Sequence, residues 1–217
     1  IALLADQNAT AEQKEARVAE MDRVLAYATH GHSGLSEKVA KAPDTGTGSA
    51  VEFLDAVETL KGTEWPQEAA ELIRKHGLAR EHVPTQLLNS REVWAALFPA
   101  MGLTALLRNL PKLSNVGLLE DAKGDEMKAV KKRFSDEDAI RKARVHPFSV
   151  LLAHQTYKNG RGEKGKQTWE PIPALVKALD GAVYKAFHNV ESTGKRYLVA
   201  LDVSGSMCSA VMGSPMI

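Results

Sequence analysis

The stretch SREVWAALFPAMGLTALLRNLP, residues 90–111, sets the fold class. Ser90 with Glu92 close behind is the composition of a helix N-cap followed by a negative first turn. An apolar-periodic segment over 91–98 follows and gives way at Pro99 and Gly102. A second, over 102–110, is expected to end at Pro111, whose ring and missing N–H oppose helix continuation. Two short helices joined by a tight turn is the reading, and the same texture extends in both directions.

On the amino-terminal side, Thr10 and Gln13 form a capping-box opening, and Val18, Met21, Leu25 and Ala28 recur on one face, predicting a helix over 11–28. The Gly, Ser and Thr-rich stretch from Gly31 to Ser49 reads as a loop with at most one helical turn, around Ser36 to Ala42. Helices are predicted over 50–61 and 65–76, with Gly77 at the position just past the end. On the carboxyl-terminal side they are predicted over 123–133, 136–143, 147–158, with Pro147 at the first helical position, and about 171–189. Nothing alternates at period two across this span. Serial helix pairs of this length predict a mainly α chain of HEAT-like pairs, although no clean sequence repeat marks them.

The texture changes at Glu191 to Gly194. The segment YLVALDV, 197–203, is a continuous apolar run with β-branched residues and no helical stripe, which predicts a buried strand of the parallel-sheet kind. A domain boundary near residue 192 follows, with a helical region over 1–192 and a second, α/β domain beginning at 193–217. The start at Ile1 and the closing SGSMCSAVMGSPMI are expected to be cut ends of a longer protein.

At 44% hydrophobic and 25% charged, the 217 residues can bury one good core and are unlike a disordered composition. No run is long and apolar enough for a membrane span, and no leader peptide opens the sequence, so a cytoplasmic protein is expected. The lone Cys208 excludes an internal disulfide and a multi-thiolate metal site. The net charge of +1 conceals an asymmetry. Residues 128–196 hold 15 Lys and Arg against 7 Asp and Glu, whereas residues 1–127 hold 13 against 19. The basic part is the candidate face for a polyanion.

Asp202, Ser204 and Ser206 form an Asp-x-Ser-x-Ser triplet at the carboxyl end of the predicted strand, where ligands bind in open α/β sheets. Two hydroxyls and a carboxylate are hard oxygen ligands, suited to Mg²⁺ or Mn²⁺ rather than Zn²⁺. Residues 160–167, GRGEKGKQ, imitate part of a phosphate-binding loop. However, Gln167 replaces the hydroxyl that would meet Mg²⁺, and a helix, not a strand, precedes the segment. Arg161, Lys164 and Lys166 read more naturally as a basic loop along a nucleic-acid backbone. His146, just before a helix N-terminus and near Arg144, is placed to contact phosphate or to serve as a turn residue. Arg108 interrupts an apolar helix, where an Arg commonly pairs with a carboxylate. The other histidines read as surface residues, and His30 with His32 lacks a third zinc ligand. No nucleophile–base pair or paired-carboxylate constellation argues for an enzyme.

Four segments in order, TALLRNL at 104–110, KARVHPF at 142–148, TYKNGRG at 156–162 and TGKRYLVALDVSGSM at 193–207, resemble the Ro ribonucleoprotein family. Its members carry a helical TROVE module followed by a von Willebrand factor A domain. The resemblance implies a ring of HEAT-like helices closed by the A domain, with the first strand of a truncated A domain at the end of this chain. It further implies binding of small non-coding Y RNAs and of the single-stranded ends of misfolded RNAs, in RNA quality control without catalysis. A ribonuclease is a further partner class of the intact protein, and neither DNA nor a membrane is expected. In such A domains the triplet is a metal-ion-dependent adhesion site, which maps to Asp202, Ser204 and Ser206 and implies a divalent metal, Mg²⁺, completed by ligands beyond residue 217. Arg108, Arg144, His146, Lys158, Arg161, Lys164 and Lys166 are the expected RNA-facing residues, from clustered charge and their place in these motifs. The rival reading is a helical scaffold for acidic protein partners, and nucleotide hydrolysis at 160–167 ranks third.

Overall fold

The computed structural model describes residues 10–39, 50–162 and 167–208, and these residues divide into two compact units at Leu97/Phe98. The first unit holds α1 (Ala11–Val39), α2 (Ala50–Gly62), α3 (Pro66–His76) and α4 (Arg91–Leu97). The capping box at the start of α1 forms as expected: the Thr10 N–H donates to Gln13 Oε1 at 3.0 Å and the Gln13 N–H to Thr10 Oγ1 at 3.3 Å. The helix does not stop at residue 28. It resumes beyond a break at Gly31, whose φ of 66° and ψ of −158° are non-helical, and runs on to Val39. Gly31 therefore marks a kink where a loop was expected. Residues 40–49, which hold the rest of that expected loop, lie outside the described residues.

In α3, Pro66 opens the helix, Arg74, Lys75 and His76 fill the last turn, and Gly77 takes the left-handed conformation expected of it, at φ 63°. Ala69, Ala70 and Ile73 are the buried stripe, and Val93 and Trp94 of α4 are buried with them in this unit. Burying a side chain such as Ile73 stabilises by roughly 1.5–3 kcal/mol. The Trp94 indole N–H is satisfied by the Leu88 carbonyl at 2.7 Å.

The second unit contains α5 (Leu103–Asn115), α6 (Asp125–Ser135), α7 (Glu137–Lys142), α8 (Pro147–Lys158) and α9 (Pro173–Ala186). The central helix is α9, which packs on α6, α7 and α8 through Leu175, Leu179, Ala182 and Val183. Helix α5 continues four residues past Pro111 to Asn115. The expected stop fails because Leu110 and Leu113, on either side of the proline, are both buried, at 1% and 0% exposure. Their burial offsets a penalty of about 3 kcal/mol for an interior proline. Long-range polar contacts fix the connections. Arg133 reaches from α6 to the carbonyls of Pro99 and Met101 at 3.0 and 2.8 Å and lies over the Phe98 ring, 4.9 Å from its centroid.

Beyond α9 a single 3-10 turn over Phe187–Asn189 leads into an extended segment. Residues 197–203 have no ladder partner among the described residues, and Leu198 and Val203 are 99% and 90% exposed. The buried strand predicted here is therefore not formed in this structure. An apolar run becomes a strand only when neighbouring strands take its N–H and C=O groups, and the described part of the chain offers none. Within the helical region the described residues separate at Leu97/Phe98, a division that the composition did not signal.

Candidate functional site

The second unit carries a groove of about 440 Å³ whose walls are α5, α8 and the turn that precedes α8. From α5 it takes Thr104, Leu107, Arg108 and Pro111, and from α8 Ser149, Leu152, Ala153 and Thr156. The two stripes share the spacing i, i+3, i+4, i+7 that puts four residues on one helix face. Ser114 and Tyr157, hydrogen-bonded at 2.8 Å, tie the last turn of α5 to the last turn of α8. Arg144, Val145 and His146 of the turn complete the lining.

That turn is built against backbone preference. The N–H of Arg144 bonds the Arg141 carbonyl at 3.0 Å and the N–H of Val145 bonds that of Ile140 at 3.5 Å, a pattern that needs a left-handed residue just past the helix end. At the ends of α3 and α5 the residue in that position is a glycine, Gly77 and Gly117. At the end of α7 it is Arg144, with φ 49° and, among the described residues, no other non-glycine at positive φ. A side chain there costs on the order of 1–2 kcal/mol, the kind of local strain that collects at functional sites. Asn189 braces the turn from the 3-10 turn that follows α9, its Nδ2 donating to the carbonyls of Ile140 and Val145 at 3.2 and 2.9 Å.

His146 is the N-cap of α8, and its Nδ1 accepts the Phe148 N–H at 3.1 Å. The Ser149 and Val150 N–H groups bond the His146 carbonyl, at 2.9 and 3.4 Å, and Pro147 has none to offer. The first amides of α8 are thus committed inside the helix, and the polar character of the groove comes from side chains. Arg108, Arg144 and His146 are all exposed, and no carboxylate lines the groove. Among the described residues neither arginine makes an ion pair, so the carboxylate partner that an Arg in α5 suggested is not there. The groove is accordingly positive and open to an anion.

Three of the seven expected contact residues are brought together here. Lys158 is exposed at the far end of α8, roughly 18 Å from His146 at 1.5 Å per residue, and does not line the groove. Arg161 is exposed beyond it, in a short return where it bridges Thr168 and the Gly162 N–H meets the Gln167 carbonyl at 3.0 Å. Gly160 starts that return at φ 67°, and a Cβ there would sit 2.9 Å from the Trp169 carbonyl oxygen. Lys164 and Lys166 lie outside the described residues. The histidines are not all superficial: His154 is 8% exposed, its Nδ1 has no hydrogen-bond partner among the described residues, and desolvation pushes its pKa down. The helical stripes of small and hydroxyl residues, and Asn189, were missed, although the i, i+3, i+4, i+7 spacing around Arg108 and after His146 was there to be read.

At the other candidate site, the Ser204 N–H donates to Asp202 Oδ1 at 2.9 Å, which holds this exposed carboxyl below its usual range. Asp202 and Ser204 are both exposed, while the side chain of Ser206 lies outside what the structure describes. Among the described residues no group of three or more His, Cys, Asp and Glu could hold a metal. Hard oxygen donors from one turn suit a divalent cation, but three of them fill only half of the six positions that Mg²⁺ takes.

Comparison with known proteins bears on the whole helical region. The family model of the TROVE domain matches residues 6–158. The chain belongs to the TROVE domain family. It is 45% identical over 168 residues to the RNA-binding protein RO60 of Caenorhabditis elegans, covering 77% of this chain and 26% of the relative. It is 43% identical over 159 residues to the RNA-binding protein RO60 of Deinococcus radiodurans, covering 72% of this chain and 30% of that protein. The crystal structure of the Deinococcus radiodurans Ro (RSR) protein superposes with a TM-score of 0.72 at 37% identity, covering 84% of this chain and 37% of that one. This TROVE chain thus spans under a third of the length of these curated relatives, and its helical-repeat fold is theirs. Among its described residues no helix is long and apolar enough to cross a membrane.

Proposed function

We propose that this TROVE chain binds RNA through the groove between α5 and α8, as part of a Ro-like protein that holds Y-type non-coding RNAs and the ends of misfolded RNAs without catalysis. The observation that carries the reading is the convergence of Arg108, Arg144 and His146, from two separate motifs, on one groove that no carboxylate lines. Cations so placed displace condensed counterions from a phosphate backbone. The RNA-binding relatives support this assignment. Residues 193–217 are read as the opening of a von Willebrand factor A domain. Asp202, Ser204 and Ser206 would supply the first ligands to its Mg²⁺, the remainder coming from other loops. A ribonuclease and a cytoplasmic setting belong to the same reading.

The test compares a structured RNA bearing a single-stranded 3′ tail with its blunt form and with the tail alone, over a salt series. Tighter binding of the tailed RNA is expected. Combined Arg108→Ala and Arg144→Ala substitution should lower the slope of log affinity against log salt by about 1.4, at about 0.7 per phosphate contact on a single strand. An unchanged slope removes the groove from the RNA surface.

A further inference from the structure

The groove is larger and chemically more varied than a phosphate needs. Its volume of about 440 Å³ lies within the ~300–1,000 Å³ of small-ligand sites. Beside the cations it presents the apolar side chains of Leu107, Leu152 and Ala153 and the hydroxyls of Ser149 and Thr156. An anion-binding end joined to an apolar wall edged with hydroxyls matches the chemistry of a nucleotide, which is a phosphate, a polyol sugar and a flat base with polar edges.

His146 adds a specific feature. Because its Nδ1 accepts the Phe148 N–H, the neutral ring must carry its proton on Nε2. The cap thus fixes the tautomer that turns a donor outward, and His146 serves an anion as a hydrogen-bond donor without having to be charged.

We propose that the groove is a single-nucleotide subsite, taking one phosphate-bearing nucleoside unit. The phosphate is held by Arg108, Arg144 and the Nε2–H of His146, and the nucleoside lies along Leu107, Leu152 and Ala153. The proposal rests on the reading of the groove as a nucleic-acid surface and adds that a free mononucleotide suffices to fill it. Among the described residues no Phe, Tyr or Trp lines the groove, and the apolar wall takes any base.

The experiment titrates this chain with uridine 5′-monophosphate, adenosine 5′-monophosphate, uridine and inorganic phosphate, followed by NMR shifts of the α5 and α8 amides, alongside a short single-stranded oligonucleotide. Both mononucleotides are expected to bind, at least fivefold tighter than uridine or phosphate, and to compete with the oligonucleotide. His146→Asn keeps an N-cap but not the Nε2–H. It should weaken the mononucleotides several-fold with the melting temperature little changed. Oligonucleotide binding that needs Arg108 and Arg144, with no mononucleotide binding, overturns the subsite and leaves the RNA reading standing. Mononucleotide binding without oligonucleotide binding keeps the subsite and defeats the RNA reading. Equal binding of phosphate and nucleotide overturns the nucleoside half of the proposal.

Discussion

Arg144 is where local preference and placement conflict most plainly. It occupies a left-handed position that α3 and α5 fill with glycine, and it lines the groove. Arg144→Gly should relieve the strain, with a net gain of about 0.5–1 kcal/mol once the extra freedom of glycine in the unfolded chain is counted. Urea unfolding should show a higher midpoint while affinity for RNA falls. A lower midpoint would mean that the side chain contributes more packing than strain. The sequence placed Arg144 and His146 near a helix start and Arg108 inside a helix, and those placements hold. That the three share a groove depends on α5 and α8 packing together, which no local pattern encodes.

At the scale of elements, the seam between α8 and α9 carries a pH dependence. His154 is buried there with Asp180 and Lys158 as the charges that act on it, and desolvation, the largest effect, lowers its pKa below 6.5. The folded state therefore resists protonation while the unfolded chain accepts it. Stability is fully present above the unfolded value and is lost as pH falls from there through the lower folded value. His154→Leu should flatten the dependence of the urea midpoint on pH below about 6.5 relative to the parent chain. Parallel curves would place the acid sensitivity elsewhere. The joint between α5 and α8 is tested by Tyr157→Phe. The substitution removes the bond to Ser114 at 2.8 Å and the acceptor of the Ile172 N–H at 3.4 Å, but keeps the ring stacked near Trp169. A loss of about 1–2 kcal/mol is expected in chemical denaturation. Helix α5 itself shows how far local rules reach. Pro111 predicts a stop, and buried leucines on both sides of it override that rule.

For the whole molecule, two units meet in sequence at Leu97/Phe98, and the segment from Glu191 to Val203 lies exposed beyond the helices. Because it buries nothing, ending the chain at Val190 should leave helix content and unfolding midpoint within about 0.5 kcal/mol of the parent. The truncated chain should also precipitate less, since an unpaired apolar run is a template for association. A marked drop in midpoint would show that the segment packs on the helices in solution.

The sequence by itself determined that the chain is helical, where most helices start and stop, and which motifs it shares with the Ro ribonucleoproteins. Caps, proline positions and apolar periodicity act within a few residues, so they can be read without the fold. Tertiary structure decided that α1 runs past Gly31, that α5 runs through Pro111, and that residues 197–203 stand without a sheet. It also decided which cations meet. Arg108 and Arg144 are 36 residues apart, and only the packing of α5 against α8, clamped by Ser114 and Tyr157, brings their charges to one groove. Burial and long-range pairing are properties of the packed whole, and local sequence preferences yield to them wherever the two disagree.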